Sequence, residues 1–252
     1  MPRFFVRADQ ITDQAIRLQG EDAHHIARSL RMALGEEITV CDMRGNEYCC
    51  RIDGFDEDRE VYTSVLSVRS AENEPPCRIR LFQALPKGDK LDTVIQKAVE
   101  CGAAEIIPFE SERCVVRMKP EAEERKTERR CRIATEAAKQ CGRSLLPTVH
   151  PTVGFERMLA MAAESDVRLF CYEGDGTRPL GELLRERFGK EGYAGRSVSV
   201  VIGSEGGFSV REAQAALDAG MDAVGLGKRI LRTETASGFV LSCLCYVTEL
   251  GG

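Results

Sequence analysis

A glycine-rich segment with one carboxylate follows an apolar run that is typical of a buried strand: Ile202-Gly203-Ser204-Glu205-Gly206-Gly207. Glycines permit positive φ angles and let a ligand approach bare backbone amides, often at the start of a helix. The spacing matches neither the Gly-x-Gly-x-x-Gly dinucleotide fingerprint nor the Gly-Lys-Ser/Thr ending of a phosphate-binding loop. Glu205 would repel a phosphate, so the segment suits a cationic ligand or one with hydroxyl and amine donors. The alternative is a tight strand-to-helix connection that binds nothing.

A second segment combines three cations with apolar side chains: Leu226-Gly227-Lys228-Arg229-Ile230-Leu231-Arg232-Thr233-Glu234-Thr235-Ala236. Because Ile230 and Leu231 lie between Arg229 and Arg232, this segment suits a pocket with an apolar floor and a basic rim. The alternative is a solvated basic turn. Either Thr233 or Thr235 is expected to cap the helix that follows.

Two further groups of basic residues suggest contacts with nucleic acid. Residues 113–143 contain ten Lys or Arg and five Glu, and they end in a polar, cationic run with Gln140 and Arg143. Such a run can meet a phosphate or a base edge, although a solvated helix face or a complement to the helix dipole are alternatives. Near the N-terminus, a phosphate and stacking surface could be formed by Arg3, Arg7, Arg28 and Arg31 together with Phe4 and Phe5.

The elements that must position these segments alternate between strand and helix after residue 76. The apolar patterns predict strands over 78–85, 105–109, 167–172, 197–203 and 223–227. They predict helices over 90–101, 120–141, 155–163, 179–188, 210–219 and 233–250, and Ser209 with Glu212 forms a capping box. This alternation predicts a doubly wound, mostly parallel sheet, on which ligands bind beyond the carboxyl ends of the strands. Both segments should therefore converge on one cleft.

Residues 1–70 have a different character, and the polar stretch 71–76 is expected to be a linker. Strands are predicted over 37–42, 48–52 and 61–66, with one helix over 22–32. Nine basic and thirteen acidic residues give this part a net charge of −4. We expect a small module that resembles a β-barrel.

The composition excludes several classes of protein. A net charge of −5 over 252 residues excludes a generic polybasic nucleic-acid binder, but not a local basic site. The longest apolar stretch, 238–247, is too short to span a bilayer. Eleven cysteines without a Cys-x-x-Cys motif, and only three histidines, indicate reduced core thiols rather than a metal site. We therefore expect a soluble cytoplasmic protein with no metal and no membrane contact, and no nucleophilic triad is recognisable.

The two loop segments resemble the signature loops of the RsmE-type ribosomal RNA methyltransferases, which belong to the SPOUT superfamily. The resemblance covers essentially the whole chain in the family's order, and the run from Arg229 to Ala236 is its most specific part. It extends to 3–5, 24–31, 87–90 and 136–143. Ser204 departs from the proline that is usual in the family, which leaves the rigidity of the loop and its cofactor affinity open.

The resemblance implies S-adenosylmethionine-dependent methylation of N3 of a specific uridine in the decoding region of 16S rRNA, within the small ribosomal subunit. It implies a PUA-like RNA-binding domain over 1–70, a linker over 71–76 and a SPOUT methyltransferase domain over 77–252. That second domain would contain a deep trefoil knot and a mostly parallel α/β sheet, and the chain would form a homodimer.

For the reaction that the resemblance implies, we expect roles for individual residues. Arg232 would place positive charge beside the uracil oxygen or a neighbouring phosphate, and Glu234 or water would take the N3 proton. The residues expected to bind the cofactor are Phe170, Tyr172, Ile202, Gly203, Ser204, Glu205, Gly206, Gly207, Leu226, Gly227, Ile230, Leu231, Thr235 and Ala236. Those expected to bind RNA are Arg3, Arg28, Arg31, Gln140, Arg143 and Arg229.

Two other functions fit parts of the pattern. A non-catalytic RNA-binding or assembly factor could retain this fold, and Ser204 is the feature that favours it. A nucleotide-binding oxidoreductase would fit a glycine-rich α/β pattern, but the dinucleotide fingerprint that it requires is missing from the sequence.

Overall fold

A computed structural model describes residues 1–12, 14–56, 60–189 and 192–251. The residues group into two compact units, Met1–Glu74 with Ala138–Leu146 and Pro75–Ala137 with Pro147–Gly252. The short segment Ala138–Leu146 thus clusters with the N-terminal residues. The domain boundaries 1–70 and 77–252 stay a prediction.

The N-terminal unit contains a five-stranded sheet. Its strands are β1 Arg3–Phe5, β2 Ala15–Leu18, β3 Glu37–Cys41, β4 Asn46–Phe55 and β5 Val61–Ser70, and their order in the sheet is β1-β3-β4-β5-β2. The β1–β3 pair is parallel and the other pairs are antiparallel. Alternate apolar side chains of the strands, with Ile26 from the helical segment, form one buried core. The three predicted strands are confirmed, whereas the short β1 and β2 had no prediction.

The helix predicted over 22–32 is shorter than expected. An α-helix, α1, covers Gly20–His24 and continues as a π-helical turn over His25–Ser29. Arg31 has a φ of 53°, a left-handed conformation that no helix can propagate. The predicted end at Met32 is therefore wrong.

The C-terminal unit is built on a second sheet. Its strands are β6 Arg78–Ala84, β7 Ala103–Glu110, β8 Thr148–Val149, β9 Val153–Gly154, β10 Val167–Cys171, β11 Arg178–Pro179, β12 Ser197–Ile202 and β13 Asp222–Gly225. The strand order is β11-β13-β10-β12-β6-β7-β8, and β9 also pairs with β7. Every strand pair found in this sheet is parallel, which confirms the predicted α/β class. The strand order does not establish the trefoil knot, which stays a prediction.

Six helices begin and end within one residue of their predicted bounds. They are α2 Lys90–Glu100, α3 Pro120–Cys141, α4 Phe155–Ala162, α5 Leu180–Gly189, α6 Val210–Asp218 and α7 Thr233–Glu249. The capping box is confirmed, because Ser209 Oγ accepts from the Glu212 amide at 3.2 Å and Glu212 Oε2 accepts from the Ser209 amide at 2.9 Å. No helix in the described part of the chain is long and apolar enough to cross a membrane.

The cysteines follow the prediction only in part. No disulfide joins any of the eleven, all of which lie in the described part of the chain. Cys41, Cys50, Cys77 and Cys114 are buried, but Cys141 is exposed and the others are partly exposed, so the expectation that all are core residues is wrong. Within the described ranges, no group of three or more His, Cys, Asp or Glu side chains is placed to hold a metal ion.

A buried carboxylate organises one end of the N-terminal unit. The Glu47 side chain is only 2% exposed and accepts from Arg3 at 2.6 Å, from Arg69 at 2.7 Å and from the Ser144 hydroxyl. Burial alone would raise the pKa of Glu47, but these hydrogen bonds and the charge of Arg3 lower it to about 2.

We expect the ionisation of Glu47 to make the free energy of unfolding depend on pH. Its pKa falls from an ordinary 4.5 to about 2 on folding, so its contribution of about 3 kcal/mol is complete above pH 4.5 and disappears as the pH falls through 2. Denaturant titrations followed by circular dichroism should show a stability gap between wild type and Glu47→Gln that narrows below pH 4.5. Exposed Glu21, changed to Gln, is the control. A gap that is constant from pH 7 to pH 3 would contradict this role.

Candidate active site

Four neighbouring parallel strands, β13, β10, β12 and β6, end at the same edge of the sheet. Ile202, the last residue of β12, is in register with Gln83 of β6, and Phe170 of β10 is in register with Val201 and Ala223. The connections that follow these strands therefore leave the sheet side by side. Both predicted loop segments lie at this edge, as expected for a doubly wound sheet.

The glycine-rich loop, residues 203–207, is a tight turn in which the Gly207 amide donates to the Ser204 carbonyl at 2.9 Å. Gly207 has a φ of 63°, which only glycine adopts without strain. A Cβ on Gly206 would lie 3.1 Å from the carbonyl oxygen of Arg113. Here glycine is required both for the turn and for close backbone packing.

Phe208 anchors the end of this loop in the core. It is 3% exposed, and its ring centroid lies 4.4 Å from that of Phe170 and 6.4 Å from that of Phe109. Tyr172 follows β10, is half-buried, and donates its amide to the Val224 carbonyl at 3.1 Å. Phe170 and Tyr172 thus lie at the expected sheet edge, but the Phe170 ring is fully buried against Phe208.

A buried hydrogen-bond chain joins the two loops. Thr233 Oγ1 donates to the Gly203 carbonyl at 2.6 Å and accepts from Gln83 Nε2 at 2.8 Å. Gln83 and Thr233 are 0% and 5% exposed. The predicted capping role is wrong, because α7 is N-capped by Arg232 without a side-chain bond and the Thr233 hydroxyl is bonded to Gly203 instead. Sequence reasoning missed Gln83, although a lone amide near the end of an apolar strand was a visible signal.

A half-buried cluster of charges joins the same loops on their outer side. Lys90 Nζ lies 2.8 Å from Glu205 Oε1 and 3.4 Å from Glu234 Oε2. Partial burial would raise the pKa of Glu205, but the ammonium of Lys90 and amide donors lower it below its ordinary value. Lys90 was not predicted as a site residue, although it ends the 87–90 motif of the family resemblance.

The 226–232 part of the second loop, which we call the basic loop, presents its cations to solvent. Lys228, Arg229 and Arg232 are exposed, and none has a side-chain ion pair within the described ranges. Ile230 is 84% exposed, whereas Leu226 and Leu231 are half-buried. Of the helical residues predicted to bind cofactor, Ala236 is buried and Thr235 is exposed.

The residues predicted to bind RNA divide into two groups. Arg28, Arg31, Gln140 and Arg229 are exposed. Arg3 instead pairs with buried Glu47. Arg143 is 5% exposed and pairs with Glu74 at 2.6 Å, and the Arg143 carbonyl lies 3.4 Å from Arg3 Nη1. The last two arginines therefore stabilise the N-terminal unit, and their RNA contacts stay a prediction.

Family models match most of the chain. One for the RNA methyltransferase domain matches residues 73–245, and one for the RNA methyltransferase PUA domain matches residues 18–59. With the parallel sheet and its paired loops, these matches define the class: an RNA methyltransferase with an N-terminal PUA domain.

Similarity to individual proteins identifies the family within this class. Ribosomal RNA small subunit methyltransferase E of Bacillus subtilis is 34% identical over 99% of this chain and 98% of its own. The Synechocystis protein of that name is 30% identical over 95% and 76%. The crystal structure of the Neisseria gonorrhoeae enzyme of that name, bound to S-adenosyl methionine, aligns with a TM-score of 0.83 at 30% identity, covering 98% of each chain. This chain belongs to the ribosomal RNA small subunit methyltransferase E family, which confirms the resemblance seen in the sequence.

Proposed function

We propose that this protein transfers the methyl group of S-adenosylmethionine to N3 of a specific uridine in the decoding region of 16S rRNA, within the small ribosomal subunit. One observation carries the proposal: the glycine-rich loop is joined to the start of α7 at one edge of the sheet. The buried hydroxyl of Thr233 and the partly exposed ammonium of Lys90 make this connection. The full-length similarity to relatives named for small-subunit rRNA methylation supports the substrate.

The residues at this edge fit the proposed cofactor. The buried hydroxyl of Ser204 and Gln83 Oε1 have no hydrogen-bond partner in the described part of the chain, so polar groups remain available for a ligand. In the cluster itself, the carboxylates of Glu205 and Glu234 outnumber the ammonium of Lys90, which disfavours a phosphate beside them. When bound, S-adenosylmethionine supplies an electrophilic methyl group on a sulfonium. Backbone groups of both loops would hold its adenine between Ile202, Leu226, Ile230 and Leu231.

The chain's own residues must prepare the uracil for attack. N3–H is weakly acidic, so methylation requires loss of that proton and stabilisation of the anion that remains. Arg232, exposed at the start of α7, supplies positive charge beside the uracil oxygen or a neighbouring phosphate. Glu234 or a water molecule accepts the proton.

We assign RNA contacts to the exposed residues Arg28, Arg31, Gln140 and Arg229. Arg3 and Arg143, whose guanidinium groups face Glu47 and Glu74, hold the segment that carries Gln140. A few exposed cations suffice for a local site, so an acidic chain can still bind RNA.

We also propose a homodimer, formed through the solvent face of α7. Phe239 and Tyr246, seven residues apart on that face, are 42% and 58% exposed, and Leu250, which directly follows the end of α7, is 75% exposed. Such a stripe is typical of an interface between subunits. A monomeric mass in sedimentation at micromolar concentration would contradict this assembly.

A methyl-transfer assay tests the proposed function. The purified chain is incubated with methyl-labelled S-adenosylmethionine and small ribosomal subunits that lack the modification, and the rRNA is digested to nucleosides. We expect the label to co-elute with N3-methyluridine. Cofactor binding without transfer, or no binding at micromolar concentration, would instead favour a non-catalytic assembly factor.

A further inference from the structure

Lys90 connects two loops that are far apart in sequence. It is the first residue of α2, and its ammonium group pairs with Glu205 of the glycine-rich loop and with Glu234 in the first turn of α7. The connection that precedes α2 contributes as well, because the Lys87 amide donates to the Glu205 carboxylate at 3.2 Å. The short segment 87–90 therefore binds one carboxylate from each loop, that of Glu205 and that of Glu234.

The charge cluster around Lys90 lies at the surface but is partly shielded from water. The Lys90, Glu205 and Glu234 side chains are 32%, 29% and 23% exposed, so water screens their attraction only in part. Glu234 Oε2 is buried and has no hydrogen bond within the described ranges, so the ammonium at 3.4 Å is its nearest compensating charge there. Removing that charge would leave a buried carboxylate oxygen uncompensated.

The helix that carries Lys90 is itself rigid. Leu91, Val94, Ile95 and Ala98 of α2 are all buried, so the position of Lys90 is set by the core of the unit. A charge on an element held by the core can define the positions of the loops that pair with it. Thr233 fixes the inner side of the same two loops, whereas the ammonium of Lys90 pairs with a carboxylate from each.

We propose that Lys90 is a positioning residue that holds Glu205 and Glu234 together, and so fixes the glycine-rich loop relative to the start of α7. The inference deepens the proposed function, on which it rests, since these loops are the ones assigned to cofactor and uridine. In the reaction, Lys90 would keep the cofactor loop aligned with Arg232 and Glu234. It would not itself contact the reacting atoms.

Hydrogen exchange and kinetics of the full-length chain test this role. Lys90→Met removes the charge, Lys90→Arg retains it, and Lys97→Met makes the same change at an exposed position of α2 whose partner is Glu100. We expect Lys90→Met to speed amide exchange in residues 203–207 and 233–236 by about tenfold. We also expect it to weaken S-adenosylmethionine binding several-fold and to lower kcat by about tenfold. Lys90→Arg should recover most of each effect, and Lys97→Met should show none.

The exchange measurement needs no methyl transfer, so it separates the two proposals. If wild type transfers no methyl group, the proposed function fails, while exchange still decides the role of Lys90. Wild-type exchange rates in both loops of Lys90→Met, or equal losses in Lys90→Arg and Lys90→Met, would overturn the positioning role. If Lys90→Met does not fold, Glu205→Gln is used in its place, because it removes the ion pair between Lys90 and Glu205. Faster exchange in 203–207 of that variant supports the role, and unchanged exchange overturns it.

Discussion

We expect replacement of Arg232 with alanine to lower the rate of methyl transfer at least tenfold, which corresponds to about 1.4 kcal/mol in the barrier, and to leave cofactor affinity nearly unchanged. The reason is the charge that develops on uracil when N3 loses its proton. A fixed cation beside the uracil oxygen stabilises that charge far more in the transition state than in the bound substrate.

The structure indicates that this substitution leaves the fold intact. The backbone of Arg232 caps α7, since its carbonyl accepts from the amides of Thr235 at 2.9 Å and Ala236 at 2.8 Å. Its side chain is exposed and has no ion pair in the part of the chain that the structure describes. Truncation to alanine preserves the backbone bonds and removes only the charge.

Calorimetry with S-adenosylmethionine and a labelled-methyl assay measure the two quantities. Lys228→Ala removes a neighbouring exposed cation of the basic loop and is the matched control, with turnover expected within about threefold of wild type. Arg232→Lys retains the charge and should recover part of the rate. Wild-type turnover in Arg232→Ala would contradict the role of Arg232 in stabilising the uracil anion.

Thr233→Val is expected to destabilise the C-terminal unit and to weaken cofactor binding. The change keeps the shape of the side chain but removes the hydroxyl that bonds the Gly203 carbonyl and the Gln83 amide. Gln83 Nε2 keeps its bond to the Ala84 carbonyl at 2.9 Å, so the buried Gly203 carbonyl is the group that loses its main donor, at a cost of roughly 1–3 kcal/mol. We therefore expect the melting temperature of this unit to fall by roughly 2–12 °C. We expect cofactor affinity to fall too, because the glycine-rich loop loses its buried attachment to α7.

The same helix provides a matched control. Thr248 is 2% exposed, and its hydroxyl has no hydrogen-bond partner among the residues that the structure describes. Thr248→Val should therefore be neutral or stabilising. Differential scanning calorimetry and cofactor titration compare the two variants. Equal melting temperatures for Thr233→Val and Thr248→Val would contradict the proposed link between the loops.

The architecture of the C-terminal unit could be predicted because its local signals agree. Buried parallel strands are continuous apolar runs, their helices are amphipathic, and α6 begins at a capping box. The two-residue strands β8, β9 and β11 could not be predicted in this way. They contain too few residues for any periodicity, and they exist because neighbouring strands offer free backbone groups.

The loops of the candidate site could also be predicted, but not the groups that join them. Glycine spacing and a basic run are local features, whereas the pairing of Lys90 with Glu205 and of Gln83 with Thr233 depends on strand order. For the same reason Arg3 and Arg143 were predicted only as RNA ligands. Their partners, Glu47 and Glu74, are distant in sequence and come close only in the folded unit.

Mass spectrometry of 16S rRNA from cells with and without this protein tests the central claim most directly. We expect one N3-methyluridine in the decoding region to be absent from the deletion strain. Wild-type protein should restore it, and Arg232→Ala should restore it far more slowly. An unchanged set of modified nucleosides in the deletion strain would contradict the proposed activity.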